Sequence, residues 1–404
     1  MQAVPLRRLA FFGHDAREST IIKRVESLRL HGCHVTTFMF ARKRFENANW
    51  QAWDHVHLGY TVDRNYARRL PKLLIGLLRT VPHLKALRNA DAIYARNIDM
   101  MLLALAARTL ARSKAPLAYE VLDIQRAFLG GRAVNRVFRA VERMLLRRTS
   151  LLVVSSPDFM TQYFEPLQGY RGEWHLLENK IAAKQLGSVV RPPAEAAKPA
   201  GPPWVIGWFG TLRCTKSLAI LSEVADRLGD RVRIYLRGRP SEEDLPLSLI
   251  EETVRGRPNM AFEGPYRNPA DLADIYGRVH FSWCVDFLDD GTNSTWLLPN
   301  RLYEGGYFGT VALACARTAT GRKVDRDGLG VVLEQPLAQS VSAFLERLDA
   351  HDYAEYRTKV EDLPRSLFLD ETDTLDLMRR LGGSTPGAPA GMESRVESES
   401  ATLR

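Results

Sequence analysis

The chain has 404 residues, 45% of them hydrophobic and 25% charged, which is typical of a globular protein with two or three domains. The four cysteines, Cys33, Cys214, Cys284 and Cys315, are far apart and have no histidine at metal-ligand spacing. This argues against a zinc site or a disulfide framework and is expected of a protein from a reducing cytoplasm. The sequence has no run of about 18 apolar residues that could cross a bilayer, and its first residues lack the apolar segment of a signal peptide.

The net charge of +9 is distributed unevenly along the chain. Residues 1–180 contain 29 Lys and Arg against 15 Asp and Glu, a balance of +14, whereas residues 181–404 contain 27 against 32, a balance of −5. A basic first half favours an anionic partner, which could be nucleic acid, anionic lipid headgroups or a phosphate-bearing substrate.

In chain order, short apolar runs alternate with amphipathic stretches. The first half predicts strands at 7–12, 34–40, 90–95, 116–123 and 151–156 and helices at 19–31, 98–112 and 133–148. After residues 191–203, which are rich in Pro and Ala, the second half predicts strands at 204–210, 231–238, 260–265, 279–285 and 310–315, helices at 216–228, 243–254 and 269–277, and a helix that opens at Asn300. Such alternation predicts parallel sheets covered by helices.

We therefore predict two α/β domains, residues 1–185 and 204–350, joined by a linker at 186–203. Residues 351–382 are expected to form helices that pack back toward the first domain, and residues 383–404 to form a disordered tail. Doubly wound sheets bind ligands at the carboxyl ends of their strands, so the cleft between the two domains is the expected site.

One candidate binding loop is "GWFGTLRCTKSL" at 207–218, which leaves a predicted strand at Gly210 and enters a helix. Glycine allows the backbone to approach a ligand closely, the amino terminus of a helix favours negative charge, and Arg213 and Lys216 add two cations. The loop therefore predicts a diphosphate site. The alternative is an ordinary strand–helix turn with solvated basic side chains.

A second candidate is "LLPNRLYEGG" at 297–306, where a proline precedes a predicted helix. Asn300 is expected to cap that helix, with Arg301 and Glu304 in its first turn. The Glu304 carboxylate can accept hydrogen bonds from a pair of sugar hydroxyls. The alternative is a capped surface helix with an ion pair between Arg301 and Glu304. Together, the two stretches are typical of a nucleotide-sugar site.

These motifs resemble those of the two-domain glycosyltransferases with the GT-B fold, in particular glycosyltransferase family 4 and its relatives in bacterial exopolysaccharide synthesis. The resemblance runs from "AFFGHD" through "YEVLD", "HLLENK" and "IGWFGTLRCTKSL" to "PNRLYEGGYFGTVALA" and covers most of the chain. It implies an α/β GT-B fold, in which two doubly wound Rossmann-like domains face each other across a cleft. The first domain would bind the acceptor and the second the nucleotide sugar.

The resemblance also implies roles for individual residues at the donor site. Arg213 and Lys216 would bind the donor diphosphate, Glu304 the ribose hydroxyls, and the backbone from Gly264 to Tyr266 the base. The full set implied for donor binding is Gly210, Arg213, Lys216, Gly264, Tyr266, Asn300, Arg301 and Glu304. No metal or other cofactor is expected.

The sequence departs from the family pattern at one position. Retaining members carry a second glutamate eight residues before the ribose-binding one, and here that position is Trp296. The stereochemistry is therefore left open, and an inverting enzyme would need a general base in the first domain. Asp15 is the first candidate, Asp123 the second and Glu120 the third; for the aspartates the alternative is capping of the following helix. His14 is a weaker candidate for orienting the acceptor.

Residues 66–88 combine leucines with six Lys and Arg and no acidic residue. The basic residues are Arg68, Arg69, Lys72, Arg79, Lys85 and Arg88. A basic amphipathic segment can lie on an anionic membrane, and the alternative is a core-packed helix with a solvated basic edge. Nucleic-acid binding is disfavoured because no helix-turn-helix, zinc-finger or RNA-binding signature is present.

The sequence thus predicts a cytoplasmic glycosyltransferase, peripheral at the inner face of the cytoplasmic membrane. It would transfer a sugar from a nucleotide donor, with UDP favoured, to a polyprenyl-diphosphate-linked saccharide. The alternative enzyme is a sugar-nucleotide epimerase of the same fold, which would share Arg213 and Glu304 but would not need a membrane-facing basic helix. The sugar, the acceptor and the linkage are not specified by the sequence.

Overall fold

The structure is a computed structural model that describes residues 6–42, 53–61, 66–182, 186 and 201–383. Most of the predicted linker at 186–203 and nearly all of the predicted tail at 383–404 lie outside these residues. The described chain contains two large parallel sheets and one small pair of strands. The prediction of parallel sheets with alternating helices is confirmed.

The first sheet has seven parallel strands in the order β3-β2-β1-β4-β5-β6-β7. The strands are β1 Arg8–Gly13, β2 His34–Arg42, β3 Asp54–Thr61, β4 Ala92–Arg96, β5 Leu117–Val121, β6 Leu151–Val154 and β7 Trp174–Leu176. The helices between them are α1 Ser19–Leu30, α2 Tyr66–Thr80, α3 Leu84–Arg88, α4 Ile98–Leu110, α5 Arg126–Leu129, α6 Ala133–Leu146 and α7 Pro157–Phe159.

The second sheet has six parallel strands in the order β11-β10-β9-β12-β13-β14, and β8 pairs with β15 separately. The strands are β8 Ile181–Ala182, β9 Trp204–Leu212, β10 Val232–Pro240, β11 Met260–Phe262, β12 Phe281–Trp283, β13 Val311–Cys315, β14 Gly330–Leu333 and β15 Leu369–Asp370. The helices are α8 Thr215–Leu228, α9 Leu247–Arg255, α10 Leu272–Gly277, α11 Asn293–Trp296, α12 Asn300–Tyr307, α13 Ala319–Asp327, α14 Leu337–Arg347, α15 Ala350–Glu361 and α16 Asp373–Gly383.

In both sheets the first strand in chain order lies in the middle. The next two strands extend the sheet to one edge, and the chain then crosses back and adds strands toward the other edge. This is the doubly wound order of Rossmann-like domains, whose switch point lies between the first strand and the one that follows the crossover. In the first sheet that point is between β1 and β4, and in the second it is between β9 and β12. The two carboxyl edges therefore supply the loops from which a site can be built.

The sequence prediction missed strands β3 and β7, which form the two edges of the first sheet. The residues of β3, "DHVHLGYT", alternate buried and more exposed side chains instead of forming an apolar run. An outer strand is covered less completely than a central one, so it retains polar residues and gives a weaker apolar signal.

The last helix, α16, returns from the second domain to the first. Its buried residues Leu377, Met378 and Leu381 join the core formed by Ile21 and Val25 of α1. At its first turn, the Asp373 carboxylate accepts hydrogen bonds from Lys180 Nζ at 3.1 and 3.0 Å. The end of the described chain thus ties the two domains together on one side of the cleft.

The basic segment at 66–88 forms α2, a short turn and α3, and its basic residues are not equivalent. Arg69 is buried, and its Nη1 lies 3.0 Å from Asp99 Oδ2 on α4, so the expectation that Arg69 belongs to a membrane-facing surface is wrong. Leu74 and Leu78 are 66% and 70% exposed, and Lys72 and Arg79 are also exposed. Within the described residues, none of the helices is both long enough and apolar enough to cross a membrane.

A buried polar cluster interrupts the apolar core behind β5. The carboxylate of Glu142 on α6 accepts hydrogen bonds from Tyr119 Oη at 2.9 Å and from Tyr163 Oη and Gln168 Nε2, both at 2.5 Å. Burial raises the pKa of Glu142 even though these three hydrogen bonds favour its charged form. Glu142 also lines a small cavity that extends to Asp123 at the end of β5.

Candidate active site

The loop between β9 and α8 begins at a close approach of two backbones. Gly210 has φ +110°, and a Cβ atom on neighbouring Gly238 would lie 1.8 Å from the Gly210 carbonyl oxygen. Only glycines fit this crossing without strain. The chain then turns into α8, where the Cys214 sulfur accepts a hydrogen bond from the backbone of Ser217.

Both cations predicted for the diphosphate are held at this loop by carboxylates of the segment after β12. Arg213 Nη2 and Nε lie 3.0 and 3.2 Å from Asp286 Oδ2. Lys216 Nζ lies 3.2 Å from Asp290 Oδ2 and 3.9 Å from the centre of the Phe287 ring. Burial opposes ionisation of Asp286, but Arg213 and Arg301 outweigh it and lower the pKa of that carboxyl. The two cations predicted to bind the diphosphate are therefore paired here with carboxylates of the protein itself.

Helix α12 places Glu304 against the wall of the cleft. Glu304 is buried, and its Oε1 and Oε2 accept hydrogen bonds from Asn268 Nδ2 at 2.8 Å and Tyr276 Oη at 3.1 Å. Burial raises the pKa of Glu304, whereas the Lys23 ammonium on α1 and these hydrogen bonds act in the opposite direction. Burial and the neighbouring Arg24 lower the pKa of Lys23 to about 8.

The start of α12 differs from the sequence expectation. Pro299 occupies the position before the helix and makes no side-chain capping hydrogen bond, so Asn300 is already helical and the expectation that it supplies the cap is wrong. Arg301 is bound by the backbone, with Nε donating to the Trp283 carbonyl at 2.6 Å and Nη2 to the Val285 carbonyl at 2.8 Å. Arg301 thus ties α12 to the end of β12.

The predicted base-binding segment lies at the end of β11. Gly264 has φ +70°, and its carbonyl accepts hydrogen bonds from Gly238 N at 2.9 Å and Arg237 Nε at 3.2 Å. Tyr266 is half-buried, and burial raises its pKa, an effect that Glu304 reinforces. The Glu304 carboxylate is therefore close enough to Tyr266 to oppose its ionisation.

Asp15 and Glu120, two of the three candidates for the general base, are buried inside the first domain. Asp15 is 0% exposed, and its Oδ1 accepts a hydrogen bond from the backbone of Arg17 at 3.1 Å. Glu120 lies between Arg24 Nε at 3.2 Å and Arg96 Nε at 3.0 Å. The two arginines outweigh burial and lower the pKa of Glu120, so it is a fixed anion. This geometry argues against a catalytic role for either carboxylate.

Asp123, the remaining candidate, follows β5 at the carboxyl edge and is exposed to the cleft. Its Oδ1 accepts a hydrogen bond from Asn293 Nδ2 at 2.9 Å. Desolvation by the surrounding protein raises the pKa of the Asp123 carboxyl. Arg213 and the Asn293 amide act in the opposite direction and lower it. The structure thus brings Asp123 into electrostatic range of Arg213, which the sequence placed in the other domain.

Sequence reasoning ranked His14 as a weak candidate and missed Asn97 and Asn293, all of them polar residues at the cleft. His14 contacts Glu18 through Nε2 at 2.5 Å and Asn97 through Nδ1 at 3.0 Å. Asn97 has φ +71° and ψ 160°, a backbone conformation that non-glycine residues rarely adopt, and such strain is often retained at functional sites. No sequence signal reports a strained φ at Asn97. Asn293 lies in the polar stretch at 286–296, and the sequence contains no signal that distinguishes it from its polar neighbours.

The two facing Rossmann-like domains, with Arg213 and Lys216 in the loop after β9 and Glu304 on α12, have the architecture of the GT-B fold. Solved structures with this fold are similar over nearly their whole lengths. Sucrose-phosphate synthase from Thermosynechococcus elongatus is 15% identical with a TM-score of 0.69, covering 92% of this chain and 97% of its own. Anabaena Alr3699/HepE in complex with UDP and glucose is 14% identical with a TM-score of 0.67, covering 94% of this chain and 100% of its own.

The sequence comparisons identify the family. Residues 23–180 match the glycosyl transferase 4-like domain. Over 385 residues, 95% of each protein, the chain is 38% identical to the succinoglycan biosynthesis protein ExoL of Rhizobium meliloti strain 1021. The chain therefore belongs to the same family as ExoL, carries a glycosyl transferase 4-like domain and is a glycosyltransferase. The resemblance seen in the sequence motifs and the expected GT-B fold are both confirmed.

Proposed function

We propose that this protein transfers a sugar from a UDP-linked donor to a lipid-linked saccharide during synthesis of a succinoglycan-like exopolysaccharide. The observation that carries the proposal is the position of Arg213, which pairs with Asp286 in the second domain and lies within electrostatic range of the Asp123 carboxyl of the first. The likeness to ExoL supports the pathway, and HepE has been solved with UDP and with UDP-glucose, which supports the nucleotide.

In the proposed donor complex, the diphosphate takes the place of the Asp290 carboxylate at the β9–α8 loop. Lys216 and Asp290 are both about half exposed, so their ion pair is weak and readily exchanged for a phosphate. Arg213, which is more buried, would bind phosphate while it keeps Asp286 as a partner. Glu304 would accept hydrogen bonds from the ribose hydroxyls in exchange for those of Asn268 and Tyr276.

We further propose a single displacement with Asp123 as the general base. The acceptor hydroxyl oxygen attacks the anomeric carbon, the bond from that carbon to the diphosphate oxygen breaks, and its electron pair leaves with UDP. The hydroxyl proton moves to Asp123. Arg213 would stabilise the negative charge that develops on the leaving diphosphate. The tryptophan at position 296, where retaining members carry glutamate, agrees with an inverting reaction.

The proposed acceptor stays in the bilayer, so the enzyme would work at the cytoplasmic membrane surface from the inner face. The exposed side of α2 and α3 supports this proposal because it combines apolar side chains with cations. The exposed apolar residues are Leu74, Ile75, Leu78 and Val81, and the exposed cations are Lys72, Arg79, Lys85 and Arg88. Each cation near an anionic surface contributes about 1 kcal/mol, and the leucines add apolar insertion.

The test is a panel of nucleotide sugars assayed for protection of the protein against thermal unfolding, since a ligand that binds the native state raises the apparent stability. The best ligand is then mixed with lipid extract from Rhizobium meliloti membranes, and release of free UDP is measured. We expect protection by a UDP-sugar and acceptor-dependent UDP release. An epimerase would instead interconvert the sugar with no dependence on lipid, and absence of protection by every UDP-sugar would contradict the proposal.

A further inference from the structure

Asn293, at the start of α11, contacts the first domain through both atoms of its amide. Its Nδ2 donates to Asp123 Oδ1 at 2.9 Å, and its Oδ1 accepts from the backbone N–H of Ile124 at 2.7 Å. Asn293 is 3% exposed, so these two hydrogen bonds satisfy a side chain that is almost fully buried between the domains. The second domain thus holds the end of β5 by a two-point contact.

The residue next to Asn293 contacts the carboxylate that pairs with Arg213. Ser294 Oγ donates to Asp286 Oδ1 at 3.1 Å and accepts from the backbone N–H of Asp289 at 2.9 Å. Asp286 in turn holds Arg213. Polar contacts through the adjacent residues Ser294 and Asn293 therefore link the cation proposed to bind the diphosphate to the carboxyl proposed to be the base.

Asp123 is oriented by this contact. The hydrogen bond from Asn293 engages Oδ1, and among the described residues no other hydrogen bond reaches the Asp123 carboxyl. Oδ2 is left as the oxygen that can accept a proton in the cleft. A base must lie within hydrogen-bond reach of the proton that it takes, so fixing one oxygen defines where the other points.

We propose that Asn293 is a positioning residue for Asp123, so that the general base of the first domain becomes competent only when the loop of the second domain is docked against it. This inference rests on the proposed function. It assigns to the 286–296 loop a role in completing the site across the cleft, in addition to its contacts with Arg213 and Lys216.

The charged groups that face Asp123 come from three segments. They are Arg213 from the β9–α8 loop, Asp286 from the segment after β12, and Glu18 from the loop before α1. Arg213 lowers the pKa of Asp123, and the two carboxylates raise it. Substitutions at position 293 leave all three groups in place, so a change in the pH profile reports on the amide itself.

The experiment compares Asn293→Ala, Asn293→Asp and a control, Arg126→Ala. Arg126 Nη2 donates to the Leu288 carbonyl at 2.7 Å and its guanidinium pairs with Asp289, so the control removes another interdomain contact of the same loop without touching Asp123. The donor is whichever of UDP-glucose and UDP-galactose protects the wild type better against thermal unfolding, with water as the acceptor. UDP release is measured across the acidic and neutral pH range.

We expect Asn293→Ala to lower kcat about tenfold while KM for the donor changes less than about threefold. The acidic limb of the profile, where Asp123 loses its proton, should shift to higher pH because the amide that favours the charged form is gone. Asn293→Asp should shift it further, since a second carboxylate beside Asp123 opposes ionisation. Arg126→Ala should keep the wild-type limb.

An unchanged acidic limb in both Asn293 variants, or the same shift in Arg126→Ala, would overturn the assignment. The double variant Asp123→Asn, Asn293→Ala provides a second test, which compares its loss in kcat with the losses of the two single variants. If Asn293 acts through Asp123, the second substitution adds little to the loss in kcat, whereas independent roles would give multiplied losses. Failure of the wild type to bind either donor would instead count against the proposed function.

Discussion

Arg213 and Asp286 form an ion pair in which two guanidinium nitrogens, Nη2 and Nε, contact the same carboxylate oxygen at 3.0 and 3.2 Å. The pair joins the loop after β9 to the segment after β12 on the two sides of the switch point of the second sheet. Both contacts with Asp286 Oδ2 hold the Arg213 side chain in place, and the guanidinium stays charged. The pKa of Arg213 is raised because Asp123 and Asp286 outweigh the effect of its burial.

The first prediction concerns this arginine. Arg213→Ala should weaken UDP-sugar binding by about 1.5 to 3 kcal/mol because it removes a charge-assisted contact with the diphosphate. Isothermal titration with UDP measures the loss. The control is Arg227→Ala near the end of α8, the helix that follows Arg213. Arg227 pairs with Glu223 on the exposed side of this helix. Equal affinity of wild type and Arg213→Ala for UDP would remove Arg213 from the donor site.

The second prediction concerns Glu304. Glu304→Gln keeps the size of the side chain but removes the charge, so it should weaken binding of UDP by about 1 to 2 kcal/mol through poorer hydrogen bonds to the ribose hydroxyls. Binding of inorganic diphosphate, which has no ribose, should be unchanged by the same variant. Isothermal titration with both ligands distinguishes a ribose contact from general damage, and a parallel loss for the two ligands would contradict the assignment.

The third prediction distinguishes a catalytic role of Asp123 from a structural role of Asp15. Asp123→Asn should retain UDP binding and lose at least about a hundredfold in turnover, because the amide cannot take the proton of the acceptor. Asp15→Asn should act mainly on stability, since Asp15 is buried and accepts the backbone hydrogen bond of Arg17. Turnover and melting temperature are measured for both. Near-normal turnover in Asp123→Asn, or retention of the anomeric configuration by NMR, would exclude Asp123 as the base of an inverting reaction.

The fourth prediction concerns Glu142 in the core of the first domain. Its pKa is raised by burial, so above the ordinary carboxyl pKa the folded protein keeps a proton that the unfolded chain releases. Its contribution to the free energy of unfolding is therefore most favourable at low pH and falls as the pH rises. Glu142→Gln, which cannot ionise, should gain stability relative to wild type as the pH increases from acidic to neutral.

Urea denaturation at several pH values measures this difference. Glu142→Ala is the matched comparison: it should cost about 3 kcal/mol or more at every pH because the donors on Tyr119, Tyr163 and Gln168 lose their acceptor. A difference between wild type and Glu142→Gln that does not vary with pH would show that Glu142 has the same protonation in the folded and unfolded states.

The fifth prediction concerns the exposed cations of α2 and α3. We expect the protein to co-sediment with liposomes that contain phosphatidylglycerol but not with phosphatidylcholine alone, and high salt should release it because exposed charges are screened. Serine substitutions at Lys72, Arg79, Lys85 and Arg88 should remove most of this binding. The leucines at 74 and 78 should leave a salt-resistant remainder.

The control for membrane binding carries the same change in charge on the second domain. It replaces the exposed residues Arg227, Arg255, Arg326 and Arg347 with serine. This variant should bind the anionic liposomes nearly as well as wild type. Equal losses in the two quadruple variants would mean that net charge, and not the surface of α2 and α3, controls binding.

The sequence by itself determined the α/β class, the order of most elements and the glycine-containing loop after β9. These features depend on neighbours in the chain: apolar runs form strands, helical periodicity forms helices, and Gly210 with Arg213 and Lys216 marks an anion loop within seven residues. The family motifs around Glu304 are local in the same sense. Such signals can be read from a short window of sequence.

The tertiary structure alone decided which carboxylate reaches the cleft. Asp15 and Asp123 both follow strands that end at the carboxyl edge of the sheet, yet only Asp123 is exposed there, and its hydrogen-bond partner Asn293 is 170 residues away. Arg69 was likewise indistinguishable by sequence from its basic neighbours, and its pairing with Asp99 followed from the packing of α2 on α4. The burial of a side chain depends on the segments that pack around it. Its pKa depends on this burial and on charges from distant segments, which meet only when the domains fold together.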